Sequence, residues 1–272
     1  MSSWINRITD LLKSDKLTFS FEVTPDIEKS RIDKLSVEPA FFCVTWHAKS
    51  YDFKDFDIPP VKLATYLRST GRTVCLHLSC DLLKRDYLNE LLRYLEDYGI
   101  CNLFVVFGES YDYINSDFKL TKELIAYIRQ QSGDFFCIGV AGFPNCSDSA
   151  LLFLKQKIEA GADFIVTQAF FEPLSYNNFL VRCVKAGIRV PVIPGMFVYE
   201  TKNELLGFSN LCKIKVPDEV LDGEKSGVES ATTLVQSLTK SSWKHFHFFT
   251  LNKLDLVSNF VQELNKMIQG TN

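Results

Sequence analysis

The chain has 272 residues, of which 46% are hydrophobic and 23% charged, and its formal net charge is −3. This composition is ordinary for one globular domain, and without a Lys- or Arg-rich run a nucleic-acid partner is not expected. No apolar stretch approaches the roughly 20 residues of a membrane span. The eight cysteines show neither a CxxC pair nor zinc-ligand spacing, so no metal site is expected. Reduced thiols in a cytoplasmic protein are the simplest interpretation.

The first segment, residues 1–16, carries apolar side chains at helical spacing but lacks the apolar core of a signal peptide. We expect it to form a short helix that closes the bottom of the barrel predicted by the segments after it. Its apolar residues are Trp4, Ile5, Ile8, Leu11 and Leu12.

Eight short apolar runs follow, and most of them are separated by stretches long enough for a helix. They are Leu17–Val23, Phe41–Trp46, Thr73–Ser79, Cys101–Gly108, Phe135–Gly142, Phe164–Phe171, Val190–Phe197 and His245–Leu251. Continuous apolar strands that alternate with amphipathic helices indicate a parallel sheet covered by helices. Eight such units predict an α/β fold of one closed (β/α)8 TIM barrel.

The helices between the runs are legible from their apolar stripes. In the segment 84–98, for example, four leucines share one face. Gly99, Gly161 and Gly187 each stand where a helix is expected to end in the left-handed conformation. An additional helix is predicted over residues 227–238. We expect one catalytic domain over residues 1–272, with the barrel over 17–252, a C-terminal helix within 253–272 and no regulatory domain.

Polar side chains cluster late in several runs. They are Glu22, Thr45, His77, Glu109 and Gln168. In a barrel these positions converge on the C-terminal rim, where barrel enzymes carry out their reactions. The pattern therefore predicts an enzyme.

Two of these residues stand out chemically. A carboxyl group at the end of an apolar strand must be paired or have a raised pKa, and a raised pKa suits a general acid near neutral pH. Glu22 is therefore either such an acid or one half of a structural ion pair across the barrel. Gln168 offers two donors and an acceptor beside aromatic rings, which suits a flat heteroaromatic ligand. Alternatively, its amide satisfies loop backbone.

An ordered set of motifs resembles the methylenetetrahydrofolate reductase family, in its barrel catalytic domain. Each motif alone is weak, but together they span the chain from about Phe19 to Asn252. The matching segments are Phe19–Glu22, Val44–Thr45, His77–Cys80, Val140–Pro144, Leu154–Gln168, Ile193–Gly195 and Phe246–Asn252.

The resemblance implies reduction of 5,10-methylenetetrahydrofolate to 5-methyltetrahydrofolate, with FAD and a reduced nicotinamide, NADH or NADPH. Glu22 would be the acid that opens the bridging one-carbon ring, and Gln168 would bind the pterin. Phe208 matches an aromatic residue that stacks on the folate or on the nicotinamide. Lys253 stands where the family has a basic residue, on the substrate side.

The resemblance also implies a flavin site. Thr45 and His77 match flavin-contacting positions, Gly108 lies in the flavin-binding turn, and Lys157 matches a basic contact to the flavin's polar tail. Glu109 would contact the cofactor and stabilise the cationic carbon that accepts hydride.

The chain departs from the family pattern mainly on the flavin side. Where the family has Arg-Gly-Asp, this chain has Phe107-Gly108-Glu109. Charged contacts are worth about 1.5–3 kcal/mol each, so we expect FAD to be held loosely. Further departures are Phe143 for a tyrosine, Ala150, Phe153 and Gln156 for acidic, amide and basic groups, and Glu204 for a glutamine.

Several functions stay open at this point. A flavin-containing reductase is favoured, and the altered flavin contacts favour a flavin-independent reductase as the alternative. A third interpretation is a catalytically weak folate-binding protein or partner subunit. If the resemblance misleads, the fallback is another barrel enzyme that acts on a flat heterocycle. Homo-oligomerisation is compatible with the sequence and is not determined by it.

Overall fold

A computed structural model describes residues 6–51, 55–108, 111–223, 225–241 and 243–269. Its strands form one parallel sheet in the order β7-β6-β5-β4-β3-β2-β1-β9-β8. They are β1 (Thr18–Val23), β2 (Phe41–Val44), β3 (Val74–Ser79), β4 (Asn102–Val106), β5 (Cys137–Gly142), β6 (Phe164–Thr167), β7 (Val192–Ile193), β8 (Gly195–Met196) and β9 (His245–Phe249).

The two edges of this sheet meet at Pro194. Strand β7 pairs with β6 and strand β8 pairs with β9, and Pro194 alone separates β7 from β8. A proline has no N–H to donate to a neighbouring strand, but the Pro194 carbonyl still accepts a bond from His247 N–H at 3.0 Å. The seventh predicted run is therefore one strand broken in the middle, and the predicted eight-unit barrel is confirmed.

Helices surround the barrel along its sides and at its lower end. They are α1 (Ile8–Leu11), α2 (Lys29–Asp33), α3 (Pro59–Ser69), α4 (Arg85–Asp97), α5 (Thr121–Ser132), α6 (Asp148–Glu159), α7 (Pro173–Lys185), α8 (Lys202–Cys212), α9 (Asp218–Leu221), α10 (Gly227–Lys240) and α11 (Leu254–Gln269). The additional predicted helix is α10. The predicted helix-ending glycines Gly99, Gly161 and Gly187 have positive φ angles of 66°, 114° and 84°.

Side chains alternate along each strand between two layers. On β1, Phe19 and Phe21 face the helices and join the large outer core, whereas Ser20 and Glu22 face the barrel interior. A second core fills that interior and includes Phe41, Cys43, Cys75, Phe104, Cys137, Phe164, Val166 and Ile193.

The N-terminal helix α1 lies at the lower end of this interior, and Trp4 and Ile5 of the predicted helix lie outside the described residues. Ile8 is fully buried in the inner core, which stabilises the fold by about 1.5–3 kcal/mol. Its N–H donates to Asn102 Oδ1 at 2.9 Å, at the first residue of β4.

The cysteines are thiols, and none is in a disulfide. Cys43, Cys75 and Cys137 lie in strands and Cys101 lies just before β4, all of them buried. Within the described residues, no helix combines the length and the apolar character that crossing a membrane requires, and no cluster of three or more His, Cys, Asp or Glu side chains could hold a metal ion.

Candidate active site

The polar residues predicted for the rim lie at the C-terminal ends of the strands. Glu22 is the penultimate residue of β1, and Thr45 directly follows β2. His77 lies two residues before the end of β3, and Gln168 directly follows β6. Because the strands are parallel, these positions share one end of the barrel. Glu109 lies outside the described residues.

Glu22 faces the interior of the barrel in a largely apolar setting. Its side chain is 17% exposed, and burial raises its pKa to about 8. Its Oε2 atom lies 3.7 Å from Nε2 of His77. The register places Glu22 between Cys43 of β2 and Phe249 of β9. A carboxyl group with this pKa is protonated at neutral pH and can donate a proton.

His77 has a second neighbour that the sequence interpretation missed. Its Nε2 atom lies 3.2 Å from Sγ of Cys43, and its ring packs on Phe104 with the centroids 4.9 Å apart. The sequence by itself indicates only a small apolar strand residue at Cys43. The signal that could have revealed it is strand alternation, because Cys43 lies two positions before Thr45 and therefore on the same face of the chain.

Two polar groups among the predicted flavin contacts make no hydrogen bond or ion pair to another described residue. The Thr45 hydroxyl is buried and makes no hydrogen bond within the part of the chain that the structure describes. Lys157 of α6 is close enough to the Cys80 thiol for an electrostatic interaction, and burial lowers its pKa. No ion pair joins it to another described residue. Because buried polar groups are normally satisfied, the Thr45 hydroxyl fits a contact to a polar ligand, and the half-buried Lys157 ammonium group is compatible with one.

The turn after β4 is packed too tightly for any residue except glycine. Gly108 has a φ of 112°, and a Cβ atom there would lie 2.8 Å from both Cβ of Asp81 and Oγ of Ser79. The Ser79 hydroxyl donates to the Phe107 carbonyl at 3.2 Å. The carboxylate of Asp81 accepts from the Asp112 N–H at 2.7 Å. These contacts fix the backbone beside the predicted flavin site.

The departures from the family pattern make this part of the rim apolar. Phe107 stacks on Tyr111 with the centroids 4.3 Å apart and the rings 19° from parallel. Phe153 is 58% exposed, and the Gln156 amide oxygen accepts from Lys122 Nζ at 3.0 Å. Phe107 and Phe153 therefore fit the polar tail of a flavin poorly, whereas Thr45 fits a polar contact.

Gln168 shows the second of the two roles considered for it, a contact with loop backbone, and its binding of a ligand stays a prediction. The side-chain oxygen of Gln168 accepts from the Ala169 N–H at 3.1 Å. The backbone N–H of Gln168 donates to the Gly142 carbonyl at 2.7 Å. Its side-chain NH2 group makes no hydrogen bond to a described residue. The amide is therefore oriented by the loop and keeps two donors for a ligand.

Phe208 is not open to the barrel mouth. It is only 2% exposed and stacks on Phe197 with the centroids 3.8 Å apart and the rings 8° from parallel. Phe249 of β9 packs beside it, with the centroids 5.8 Å apart. Stacking of Phe208 on a ligand would require separating it from Phe197, so this predicted contact stays a prediction.

Lys253 is already paired within the protein. Its Nζ atom lies 2.7 Å from Oε1 of Glu204, the residue that stands for a glutamine of the family. The other carboxylate oxygen of Glu204 accepts from the Glu200 N–H at 3.1 Å. The Lys253 side-chain contact together with the backbone contact lowers the pKa of Glu204. Lys253 would have to leave this partner, or share it, to bind an anionic substrate.

Two further histidines lie below Glu22 in the barrel. His247 Nδ1 lies 2.9 Å from the Ser20 hydroxyl, which lies 3.0 Å from His245 Nε2. His245 Nδ1 lies 2.7 Å from the Thr18 hydroxyl. Burial lowers the pKa of each histidine to about 3. Both are therefore neutral near pH 7 and fill the interior without adding charge.

Comparison with known proteins agrees with the motifs. The family model of methylenetetrahydrofolate reductase matches residues 7–265. A 5,10-methylenetetrahydrofolate reductase of Pectobacterium carotovorum is 30% identical over 266 residues, covering 89% of this chain and 88% of the relative. Methylenetetrahydrofolate reductase 2 of Saccharomyces cerevisiae is 29% identical, covering 88% of this chain but 45% of the relative. The chain thus spans about half the length of this yeast relative.

Solved structures show the same barrel at low sequence identity. A protein from Clostridium thermocellum, described as binding two copies of 5-methyl-5,6,7,8-tetrahydrofolic acid, matches with a TM-score of 0.64 and 14% identity, over 97% of this chain and 99% of its own. An oxaloacetate acetylhydrolase matches with a TM-score of 0.52 and 9% identity, over 91% and 80%. Since proteins with different descriptions share the fold, the fold does not define the chemistry. The family model and the Pectobacterium relative do define the family: this chain belongs to the methylenetetrahydrofolate reductase family.

Proposed function

We propose that the chain reduces 5,10-methylenetetrahydrofolate to 5-methyltetrahydrofolate with a reduced nicotinamide. The observation that carries this proposal is the buried Glu22 carboxyl at the mouth of the barrel, whose pKa of about 8 keeps it protonated. Family membership supplies the substrate class.

The reaction requires an acid because it consumes one proton and one hydride. The proton goes to the folate nitrogen that releases the bridging carbon, and the hydride goes to the iminium carbon that remains on the other nitrogen. A carboxyl group with a pKa of about 8 is about 90% protonated at pH 7. Glu22 therefore enters the reaction as a proton donor and leaves it as a carboxylate.

The folate would lie against residues on the other side of the barrel mouth. The NH2 group of Gln168, whose side-chain oxygen accepts from the Ala169 N–H, would donate to an acceptor of the pterin. Lys253 would meet a carboxylate of the substrate once it shares or leaves Glu204. Phe208 would contribute an aromatic face after it separates from Phe197.

FAD is the cofactor that the site supports, held by fewer polar contacts than the family pattern provides. Thr45, His77, Gly108, Glu109 and Lys157 would hold it. The unpartnered Thr45 hydroxyl and the Lys157 ammonium group support this assignment. Bound there, FAD supplies hydride transfer between the nicotinamide and the folate.

The test follows the two half-reactions separately by stopped flow. In Glu22→Gln the amide keeps the size of the side chain but cannot deliver the proton. The rate at which methylenetetrahydrofolate reoxidises the reduced flavin should therefore fall by about 10²–10⁴-fold, the usual contribution of a general acid. The rate at which the nicotinamide reduces the flavin should be unchanged, because this half-reaction delivers no proton to the folate. Glu28→Gln, at an exposed carboxylate beyond the same strand, is the matched control. If Glu22→Gln is reoxidised by the folate at the wild-type rate, Glu22 is not the acid of the reaction.

A flavin-independent reductase is the second candidate. It is supported by the apolar Phe107–Tyr111 stack and the exposed Phe153, at positions where the family has polar flavin contacts. The visible absorption spectrum of freshly purified protein distinguishes the two candidates. A flavin band that is lost on dialysis together with activity supports loosely bound FAD. Full activity in flavin-free protein supports direct hydride transfer.

We place the protein in the cytosol, in keeping with eight cysteines that are all thiols. Activity assays with NADH and with NADPH decide the reductant, and equilibrium sedimentation of the purified chain decides whether it forms a homo-oligomer.

A further inference from the structure

We propose that His77 is a positioning residue for Glu22: its Nε2 group donates the hydrogen bond that stabilises the Glu22 carboxylate left after proton transfer. This inference rests on the proposed role of Glu22 as the acid. It gives His77 a task in the folate half-reaction, in addition to its proposed contact with the flavin.

The geometry brings these two side chains together at the barrel mouth. Glu22 Oε2 and His77 Nε2 are 3.7 Å apart, and the two side chains are 17% and 12% exposed. A closing movement of about 1 Å would bring the two atoms to the nitrogen-to-oxygen distance of a charge-assisted hydrogen bond, about 2.7–2.9 Å. The ring of His77 is held between Phe104 and Cys43, so Nε2 keeps its direction.

The other titratable groups around this pair cannot take over the role. On β2, burial raises the pKa of the Cys43 thiol well above its usual value, with the neighbouring Cys75 of β3 adding to the shift. On β9, burial, with smaller contributions from the neighbouring His245 and His77, lowers the pKa of His247 to about 3. Burial is also the sole cause of the raised pKa of Glu22. Among the described titratable neighbours, His77 is therefore the donor available to a carboxylate at this position.

The consequence for catalysis is a balance between holding the proton and releasing it. Burial keeps Glu22 protonated, but a buried carboxylate without a donor is costly. An N–H group 3.7 Å away, free to approach once the proton has left, lowers that cost only in the product state of the proton transfer. His77 thus makes Glu22 an acid that both holds its proton at neutral pH and gives it up to the substrate.

The test is an NMR titration of Glu22 in protein labelled with carbon-13 at the glutamate carboxyl carbons, without substrate. Glu22→Gln assigns the resonance by its disappearance. His77→Leu removes the donor at similar volume and should raise the midpoint of Glu22 by about one pH unit, as expected for a lost charge-assisted hydrogen bond. His77→Gln keeps an N–H donor at similar reach and should restore the wild-type midpoint. Cys43→Ala, which removes the competing neighbour of Nε2, should not raise it.

An unchanged midpoint in His77→Leu, or the same midpoint in His77→Leu and His77→Gln, would overturn the inference. A second measurement needs no variant: in wild-type protein labelled with nitrogen-15 in histidine, the Nε2 resonance of His77 should move at the Glu22 midpoint, and its failure to move also counts against the pair. Neither titration depends on turnover. If the Glu22 midpoint shifts in His77→Leu but Glu22→Gln still reduces the folate normally, the contact between His77 and Glu22 is supported and the proposed reaction is refuted.

Discussion

The buried carboxyl of Glu22 should make the stability of the protein depend on pH in a direction that Glu22→Gln reverses. The pKa of Glu22 is about 8 in the folded protein against a reference value of 4.5. The folded state therefore binds the proton more tightly than the unfolded state. The contribution of Glu22 to the free energy of unfolding is fully present below pH 4.5 and is lost progressively as the pH rises. The loss is complete once the pH passes 8.

The magnitude follows from the interval between these values. Each pH unit above 4.5 costs about 1.36 kcal/mol until the folded-state pKa is reached, so Glu22 lowers the free energy of unfolding by about 3 kcal/mol at pH 7. A glutamine does not titrate. Glu22→Gln should therefore be more stable than wild type by about 3 kcal/mol at pH 7 and of similar stability near pH 4, because the wild-type carboxyl is then neutral in both states.

Urea denaturation at pH 4, 7 and 8.5 measures this difference, with midpoints compared at constant slope. Glu28→Gln, at an exposed position, is the control for the loss of one carboxylate and should track wild type. A Glu22→Gln variant that is less stable than wild type at pH 7 would contradict the reasoning. That result would mean that Glu22 is ionised in a structural ion pair, the alternative that the sequence left open.

Three further results are expected. Lys157→Ala should weaken FAD binding about 10- to 100-fold, measured by fluorescence titration, because the half-buried ammonium group has no ion-pair partner among the described residues; unchanged affinity would exclude Lys157 from the site. Phe208→Ala should lower the free energy of unfolding by about 3–5 kcal/mol, since the ring is buried against Phe197, and a loss below about 1 kcal/mol would show that the stack is open in solution. Glu204→Gln should free Lys253 and lower the KM for folate with little change in stability, because the pair is partly exposed; a raised KM would mean that the pair itself holds the substrate-binding conformation.

The barrel was predictable because its signals are local. A strand buried on both faces is apolar along its length, as in Phe164–Thr167, and a helix shows a repeated stripe, as in Arg85–Asp97. The turn after such a helix requires a residue that tolerates positive φ, as Gly99 does. The candidate rim followed from the same patterns, since parallel strands bring their ends together. The break at Pro194 was not predicted, because a proline within an apolar run does not show which partners remain available to its neighbours.

What the sequence determined by itself was the number of units, their order and the end of the barrel at which Glu22, Thr45, His77 and Gln168 lie. The tertiary structure decided which of these side chains touch. Cys43 and His77 are 34 positions apart, and no periodicity within either strand shows that their side chains meet beside Glu22. The parallel pairing of β1, β2 and β3 made that contact, because the register between neighbouring strands sets which side chains lie next to each other. The raised pKa of Glu22 has the same origin, since it depends on how much water the surrounding strands exclude.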